Sequence, residues 1–342
     1  MDIKEHIKRN GSITVSEFMG YALPQYYSQQ EPFGAKGDFT TAPQISQVFG
    51  EMLGIWVASM WIEMGRPSDI AIVEFGPGTG TLMQDFLRGT ANVKGFHGSA
   101  EIHMVESSSR LQNVQKQNLN GLHDKISWHD NIATLPHKKS FYIGNEFFDA
   151  LPIKQYVKTL DGWCERIVDV ENNGEMGFGL SPVCSFSDSF DSEHPDAPEG
   201  SFLEINQAAI SIMKDIAKNI TEYGGGGVFI DYGYSHYGYR DTLQAVKEHK
   251  FHDVLTDIGN ADVTAHVDFV ALAGVLADND INSYSIATQK DFLLSLGIQV
   301  RSEMLLKGIS DSKKSDEIKS AVMRLIDPKQ MGNLFKVLTF VG

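Results

Sequence analysis

The chain has 342 residues, of which 42% are hydrophobic, 21% charged and 10% aromatic, a balance that excludes disordered, fibrous and collagen-like chains. Lys and Arg total 29 against 44 Asp and Glu, so the formal net charge is −15 and we expect no nucleic-acid partner. No apolar run approaches the roughly 20 residues that a bilayer span requires, and the first residues carry no signal or transit pattern. We therefore expect a cytoplasmic protein without membrane insertion.

Cysteine and histidine usage points away from disulfides and metals. Cys164 and Cys184 are the only two cysteines. Their spacing allows one bridge, but so few cysteines in a chain of this length favour a reducing compartment, and we expect ordinary thiols. His249 and His252 stand beside Asp253, yet no further ligand at the right spacing completes a set. We expect no metal site.

The N-terminal region reads as helices interrupted by a loop. Residues 2–20 suggest short helices, with a start signal at Thr14 and Glu17. Residues 26–43 are rich in Gly, Pro and Thr and predict a loop. A long apolar helix is expected from Pro43 to Gly65, because proline suits a first turn and glycine a stop.

The next block alternates short apolar runs with amphipathic runs. Strands are expected at 70–75, 101–106, 125–128 and 140–144, with helices at 79–88 and 107–118 between them. This βαβα alternation is typical of a parallel sheet with helices on its faces.

The pattern changes after Pro152. Three runs within 152–182 predict antiparallel strands, because Asp161-Gly162 and Asn173-Gly174 are turn signals. Further on we expect helices at 202–219, 267–277 and 289–296 and strands at 227–231, 283–287 and 333–340. The predicted domains are an N-terminal helical segment with a covering loop (1–65), two halves of one α/β domain (66–151 and 201–342), an antiparallel insertion (152–200) and a substrate-site insertion (232–266).

A glycine-rich loop joins the first predicted strand of this block to its helix. It reads Glu74-Phe75-Gly76-Pro77-Gly78-Thr79-Gly80. Glycines let the backbone turn sharply and approach a ligand closely, and free N–H groups at the helix start then face that ligand. In the dinucleotide-binding pattern G-x-G-x-x-G, the third glycine would fall at position 81 if the pattern began at Gly76 and at 83 if it began at Gly78. Those positions hold Thr81 and Met83, which disfavours a dehydrogenase. The pattern present is E-x-G-x-G-x-G, which resembles the first motif of Rossmann-like S-adenosylmethionine (SAM) methyltransferases.

Polar residues follow the next strands of the predicted sheet. Glu106 ends the second strand, where an acid can bind both ribose hydroxyls. Asp130 and Asn131 follow the third strand, where the methyltransferase fold contacts adenine, although a plain polar turn also explains them. After the fourth strand, Glu146 and Asp149 stand three apart among apolar residues. Such acids either cap local N–H groups or await a cationic ligand.

Five motifs together resemble one family. They are G-D-F-T-T (37–41), E-F-G-P-G-T-G (74–80), N-E-F-F-D-A-L-P (145–152), D-Y-G (231–233) and T-A-H-V-D-F (264–269). In this order they look like the MidA family, which includes a mitochondrial protein-arginine methyltransferase that supports respiratory complex I assembly. The resemblance implies a Rossmann-like class I SAM methyltransferase sheet of α/β class, with an N-terminal helical segment and an inserted antiparallel β/helical subdomain. It also implies SAM as cofactor and arginine of a protein, such as a complex I subunit, as acceptor.

Arginine chemistry suggests roles for several acids. The guanidinium is protonated at physiological pH and is a poor nucleophile, so a carboxylate that binds it can orient it and draw charge from the attacking nitrogen. Glu146 is the first choice, because its place resembles the first glutamate of the double-glutamate loop in other arginine methyltransferases. Asp149 is the candidate second acid. His266 is a candidate proton relay oriented by Asp268, while Thr264 and Asp268 also suit a helix start.

Two alternatives remain open at this point: a SAM-dependent methyltransferase of a small cationic molecule, and a catalytically weak assembly factor. The candidate catalytic residues are Glu146, Asp149, His266 and Asp268, and the candidate substrate-binding residues are Glu146, Asp231, Tyr232 and His266. The candidate cofactor-binding residues are Asp38, Thr40, Glu74, Gly76, Pro77, Gly78, Gly80, Glu106, Asp130, Asn131 and Asn145.

Overall fold

The computed structural model describes residues 2–29, 41–184 and 194–342 of the chain. The helices are α1 (Ile3–Asn10), α2 (Val15–Gln29), α3 (Ala42–Ile45), α4 (Gln47–Glu63), α5 (Thr81–Thr90), α6 (Phe96–Ser99), α7 (Ser109–Asn118), α8 (Gln207–Tyr223), α9 (Phe269–Ala277), α10 (Gln289–Ser295), α11 (Ile298–Leu306), α12 (Ser312–Ile326) and α13 (Met331–Leu334). Within these described ranges, no helix combines the length and the apolar character that crossing a bilayer needs.

The strands are β1 (Ile13–Thr14), β2 (Ile70–Phe75), β3 (Ala100–Val105), β4 (Ile126–His129), β5 (Ser140–Asn145), β6 (Lys154–Thr159), β7 (Gly162–Val170), β8 (Met176–Leu180), β9 (Phe202–Ile205), β10 (Gly225–Tyr234), β11 (Gln244–Lys247), β12 (Lys250–His252), β13 (Asp262–Thr264), β14 (Val267–Asp268), β15 (Ser283–Thr288) and β16 (Phe335–Val341). The chain forms two compact units. Unit 1 consists of Met1–Pro32, Asp149–Ser211 and His236–His266, and unit 2 of Phe33–Phe148, Ile212–Ser235 and Val267–Gly342.

Unit 2 is built on a mixed sheet with the strand order β15-β16-β10-β5-β2-β3-β4, and the short β14 also pairs with β10. The β4, β3, β2, β5 and β10 strands are parallel, as the alternating pattern predicts. The β16 strand runs antiparallel to both β10 and β15 and lies between them. The α/β class inferred from the sequence is therefore confirmed.

Close helix packing explains three glycines of unit 2. A Cβ at Gly50 or Gly54 of α4 would come within 2.8 or 2.9 Å of a backbone oxygen of α5, and a Cβ at Gly89 of α5 would come within 2.9 Å of the Glu51 Cα. The glycines thus let the two helices approach directly. Glu51 is fully buried at this crossing, where its carboxylate binds Arg88 at 3.2 Å and Arg301 at 2.8 Å.

Unit 1 contains two antiparallel sheets. The larger sheet joins β1, β7, β6 and β9, with β8 paired to β7, and the smaller has the order β12-β11-β13. The apolar faces of α1 and α2 pack with residues of both sheets, including Val168, Ala245 and Val263, in one core. The antiparallel strands expected in 152–182 are confirmed. The α2 start has the predicted reciprocal cap, in which the Thr14 hydroxyl accepts the Glu17 N–H at 3.1 Å and the Glu17 carboxylate accepts the Thr14 N–H at 2.8 Å.

Three predicted helices differ in their bounds. The helix expected over 43–65 is interrupted at Ser46, whose extended backbone and side-chain cap start α4. The helix expected over 202–219 begins only at 207, because 202–205 pair with β6 as a strand. The helix expected from 267 begins at 269, because Val267 and Asp268 first pair with β10. Asp268, and not Thr264, is therefore the cap residue.

The cysteine prediction is wrong, because Cys164 and Cys184 are joined by a disulfide. The β7–β8 hairpin folds the chain back, and the Ser181 N–H donates to the Glu165 carbonyl. This pairing brings the residues after β8 beside the start of β7, with a Cα–Cα distance of 4.2 Å between the cysteines. The spacing of 20 residues alone does not reveal that the turn lies near its middle.

Candidate cofactor and active site

The glycine-rich loop lies at the carboxyl edge of the unit 2 sheet, directly after β2. Gly76, Gly78 and Gly80 all have positive φ, at 57°, 53° and 81°. This left-handed backbone favours glycine and folds the loop tightly, with the Gly80 N–H bonded to the Pro77 carbonyl at 2.7 Å. A Cβ at Gly76 would also come within 3.1 Å of the Phe147 ring. The loop therefore brings backbone N–H groups to the start of α5.

Glu74 stands at the end of β2 with its side chain 2% exposed. Its Oε2 atom is buried and has no hydrogen-bond partner among the residues that the structure describes. Burial raises the pKa of this carboxyl from 4.5 to about 8. A buried carboxyl without a partner is costly, and a cationic ligand would satisfy it.

Glu106 follows β3 and is tied to the glycine-rich loop through one buried amide. Its Oε1 accepts the Ser108 N–H at 2.8 Å, and burial raises the pKa of its carboxyl. Gln115 of α7, fully buried, donates to the Glu106 Oε2 at 3.4 Å and to the Gly78 carbonyl at 2.8 Å. Sequence reasoning missed Gln115. The available signal was a polar residue on the apolar face of α7.

The residues after β4 make mainly local contacts. The Asp130 carboxylate accepts from Gln112 at 2.9 Å, and the Asn131 side chain caps a short 3-10 turn through the Ala133 N–H. His129 bonds His103 between ring nitrogens at 3.0 Å, and burial lowers the pKa of both rings, that of His103 to about 4. A contact of Asp130 and Asn131 with adenine stays a prediction.

Glu146 stands directly after β5 in a backbone conformation unusual for glutamate, with φ at 51°. Its N–H donates to the Ile230 carbonyl of β10 at 2.9 Å. Its Oε1 accepts the Ala42 N–H at 3.2 Å and the Asn145 side-chain amide at 3.1 Å. The carboxylate is thus held in a fixed orientation at the carboxyl edge of the sheet.

Asp231 of β10 holds the loop that carries Glu146. Its side chain is 1% exposed, and its Oδ2 accepts the N–H groups of Phe147 at 3.1 Å and Phe148 at 3.0 Å. Its Oδ1 accepts the Tyr232 N–H at 2.9 Å. Three backbone donors on one buried carboxylate fix the two residues after Glu146, so the described contacts of Asp231 are positioning contacts.

Tyr232 and Asp268 also occupy structural positions in unit 2. The Tyr232 ring is 8% exposed and packs edge-to-face on Phe335, with centroids 5.6 Å apart. The Asp268 carboxylate accepts the N–H groups of Val270 and Ala271 at 2.9 and 3.0 Å and caps α9. The substrate and catalytic roles predicted for these residues remain predictions beside these contacts.

Asp149 and His266 belong to unit 1, where the Asp149 backbone contacts Ala265, the residue before His266. The Ala265 N–H donates to the Asp149 carbonyl at 3.1 Å, and the next N–H, that of His266, donates to the Thr242 hydroxyl at 2.9 Å. Glu204 in turn accepts from the Thr242 N–H at 2.9 Å and from its hydroxyl at 2.5 Å. Burial raises the pKa of the Glu204 carboxyl. This chain of hydrogen bonds fixes the backbone of His266 and was not visible in the sequence.

Asp38 and Thr40 lie outside the described residues. Ala42, two residues after Thr40, is bonded to Glu146, so the end of the G-D-F-T-T motif reaches this edge of the sheet. The chemistry of the described residues fits SAM. Glu74 Oε2 and Asn145 Oδ1 are buried acceptors without a hydrogen-bond partner among those residues, and the ammonium of the SAM amino-acid part is a donor.

Comparison with known proteins identifies the class of enzyme. Residues 52–287 match the profile of a family of S-adenosyl-L-methionine-dependent methyltransferases. The chain belongs to this family, which confirms the resemblance drawn from the five motifs, the methyltransferase activity and SAM as cofactor.

Relatives from animals and a bacterium cover almost the whole chain. The chain is 36% identical over 365 residues to the mitochondrial protein arginine methyltransferase NDUFAF7 of Xenopus tropicalis, covering 98% of this chain and 84% of the relative. The human protein of that name is 34% identical over 360 residues, covering 96% and 81%. A crystal structure from Burkholderia thailandensis with S-adenosyl-homocysteine bound has a TM-score of 0.86 at 28% identity, covering 99% and 90%.

Proposed function

We propose that this enzyme transfers methyl groups from SAM to arginine of a protein. The observation that carries the proposal is Glu146, a glutamate held at the carboxyl edge of the methyltransferase sheet by Ala42, Asn145 and the β10 backbone. The names of the animal relatives support the same acceptor, since they are called protein arginine methyltransferases. A subunit of respiratory complex I is the candidate substrate that the family resemblance implies.

Glu146 is proposed to bind the guanidinium of the substrate. A carboxylate can accept two parallel N–H bonds from a planar guanidinium, and the bonds from Ala42 and Asn145 fix the direction in which Glu146 presents its carboxylate. Positive charge drawn toward the carboxylate leaves more electron density on the opposite guanidinium nitrogen, which becomes the better nucleophile. Asp231 supports this role, because it fixes the Phe147 and Phe148 N–H groups.

The cofactor is proposed to lie on the glycine-rich loop. Glu74 would hold the ammonium group, Glu106 the ribose hydroxyls, and Asp130 and Asn131 the adenine side. Bound SAM supplies an electrophilic methyl group on a sulfonium, whose sulfur leaves as a neutral thioether. The residues of this chain supply position and electrostatics.

Methyl transfer to arginine also requires the removal of a proton. A guanidinium nitrogen that gains a methyl group must lose one proton. We assign its acceptance to His266, whose backbone is fixed by Thr242, with Asp149 on the adjoining backbone stretch. The Asp268 carboxylate caps α9, and orienting His266 is its second proposed role.

The proposed compartment is the cytoplasm. The animal relatives carry the word mitochondrial in their names, so a mitochondrial location is the alternative that the test must distinguish. Subcellular fractionation with antibody detection is the direct measurement, and enrichment in another fraction would contradict this part of the proposal.

The test of arginine methylation uses methyl-labelled SAM and lysate from cells lacking the gene. Labelled protein is hydrolysed and the methylated amino acid identified, with Glu146→Gln as the active-site variant. Glu303→Gln, at an exposed position of α11, is the matched control. We expect labelled arginine with wild type and with the control, and at least a 100-fold slower reaction with Glu146→Gln.

Two outcomes would contradict the proposal. Label on another amino acid or on a small molecule would retain the methyltransferase and remove the arginine assignment. Equal rates for Glu146→Gln and wild type would remove Glu146 from the guanidinium site. S-adenosyl-homocysteine binding, measured by calorimetry, separates a lost substrate contact from a lost cofactor site.

A further inference from the structure

Among the residues that the structure describes, nothing pairs with the outer edge of β8 in the larger unit 1 sheet. The Glu171 N–H donates to the Glu175 carbonyl and the Ser181 N–H to the Glu165 carbonyl, both at 2.8 Å. Because hydrogen-bonded pairs alternate along an antiparallel ladder, residues 177 and 179 also face β7. The N–H and C=O groups of Met176, Phe178 and Leu180 therefore point away from β7, and no described strand pairs with them.

This edge lacks the usual protection against pairing. Natural sheets block open edges with lysine, proline, bulges or inward charges. β8 reads Met-Gly-Phe-Gly-Leu and has none of these within its five residues. Phe178 and Leu180 are 37% and 42% exposed, so apolar side chains stand beside the open backbone groups.

The two faces of the hairpin differ in chemistry. Asp169, Glu171 and Glu175 are exposed and share one face with Gly177 and Gly179, because side chains alternate along each strand. The Glu171 carboxylate lies against Gly177, where any Cβ would collide with it. The opposite face carries Met176, Phe178 and Leu180.

A strand added at this edge would meet a different surface on each side. Its side chains on the glycine face would reach over Gly177 toward the Glu171 carboxylate, and over Gly179 toward the Ile167 side chain, which lies 3.5 Å from where a Gly179 Cβ would be. Its side chains on the other face would lie beside Phe178 and Leu180. The partner that fits is an extended segment in which basic and apolar residues alternate.

We infer that β8 is a docking edge for an extended, basic segment of the protein substrate, added as a further β-strand. The inference rests on the proposed function for the identity of the partner, since an arginine methyltransferase acts on basic segments. Main-chain hydrogen bonds supply the binding, and the acids of the hairpin supply the preference for cations.

A substitution at Leu180 tests the docking edge and leaves the hydrogen bonds between β7 and β8 intact. The Leu180 N–H points outward, so Leu180→Pro removes an edge donor without removing a ladder hydrogen bond. Leu180→Ala, which keeps the N–H, is the matched control. Asp169→Asn with Glu175→Gln removes two exposed charges without altering the backbone. Thermal unfolding confirms that each variant is folded.

The probe is a fluorescein-labelled 12-residue peptide of alternating arginine and valine, measured by anisotropy without SAM. The same peptide with every backbone nitrogen methylated has no N–H to donate on either edge, cannot pair as a strand and is the second control. We expect at least tenfold weaker binding for Leu180→Pro and for the methylated peptide, about fivefold weaker for the charge variant, and at most twofold for Leu180→Ala.

Equal affinity for wild type and Leu180→Pro, or for both peptides, would overturn the inference. A dimer by light scattering that Leu180→Pro converts to monomer, with no peptide binding, would also overturn it and assign the edge to a second copy. Methylation is measured separately. Peptide binding without arginine label would refute the proposed function and support the docking edge. Arginine label without β8-dependent peptide binding would support the proposed function and refute the docking edge.

Discussion

Replacing Glu74 with glutamine should make the protein more stable at alkaline pH and a poorer binder of the cofactor. The carboxyl is buried, and burial raises its pKa from 4.5 to about 8. In the unfolded chain it ionises near 4.5, whereas in the folded chain it keeps its proton until about pH 8. The folded state is therefore favoured fully below pH 4.5, and this stabilisation is lost as pH rises toward 8.

The size of the effect follows from the two pKa values. At about 1.36 kcal/mol for each pH unit between them, the loss is about 3 kcal/mol at pH 7 and about 4 kcal/mol at pH 8, as upper estimates. Glu74→Gln removes the titrating group, so its free energy of unfolding should match wild type near pH 4.5 and exceed it increasingly up to pH 8.

Cofactor binding should respond in the opposite direction. Pairing with an ammonium requires the ionised carboxylate, so wild-type affinity for S-adenosyl-homocysteine should rise up to tenfold per pH unit between pH 6 and 8. Glu74→Gln should bind at least tenfold more weakly at pH 8 and lose this slope.

The assay is urea unfolding and calorimetric titration at pH 5, 6, 7 and 8, with Glu303→Gln as the exposed control. Parallel pH–stability curves for Glu74→Gln and wild type would refute the burial argument. An unchanged binding slope in Glu74→Gln would refute the pairing with the ammonium.

Three further changes test separate parts of unit 2. Gly54→Ala should lower the free energy of unfolding by about 1–3 kcal/mol in urea, because its Cβ would meet a backbone oxygen of α5 at 2.9 Å. Gly274→Ala in α9 is the control, since its Cβ would enter open space and the change should be neutral or slightly stabilising. Equal effects of the two changes would contradict the packing argument. Asp268→Ala should lose a helix cap worth about 1 kcal/mol, and Asp268→Asn should keep it; a large loss of kcat in Asp268→Asn with unchanged Tm would instead assign the residue to catalysis. Asp231→Asn should lower kcat at least tenfold and change the affinity for S-adenosyl-homocysteine less than twofold, because Asp231 accepts two N–H groups of the loop after Glu146. An unchanged kcat would remove its positioning role.

Local patterns revealed the parallel strands and the loops at their carboxyl ends. Ile70–Phe75 is a short apolar run followed at once by glycines, so both the strand and its loop are readable from neighbouring residues. Glu146 was placed at the strand end for the same reason. Its positive φ, however, depends on β10 and Asp231, some 84 residues later, and no local pattern reports it.

Long-range partners explain the other differences. Phe202–Ile205 suits either a helix start or a strand by composition, and pairing with β6 decides for the strand. Glu51 is a charged residue on an otherwise apolar helix, and the sequence does not show what neutralises it. Its partners Arg88 and Arg301 lie 37 and 250 residues away. The Thr242–Glu204 contact is likewise invisible until the fold brings both to His266.

The position of β16 has a consequence for how the sheet assembles. This strand follows every other described strand in the chain, yet it lies between β10 and β15 and bonds to both. Until it arrives, β10 and β15 have no described strand between them, and both expose unpaired backbone groups. Phe335–Val341 must pair with strands that lie about 110 and 50 residues earlier in the chain. Such pairing is slow, because forming these long loops costs conformational entropy before the strand contacts are made. Sheet completion in unit 2 is therefore a late event in folding, and the β10 edge stays open to mispairing until β16 has paired with it.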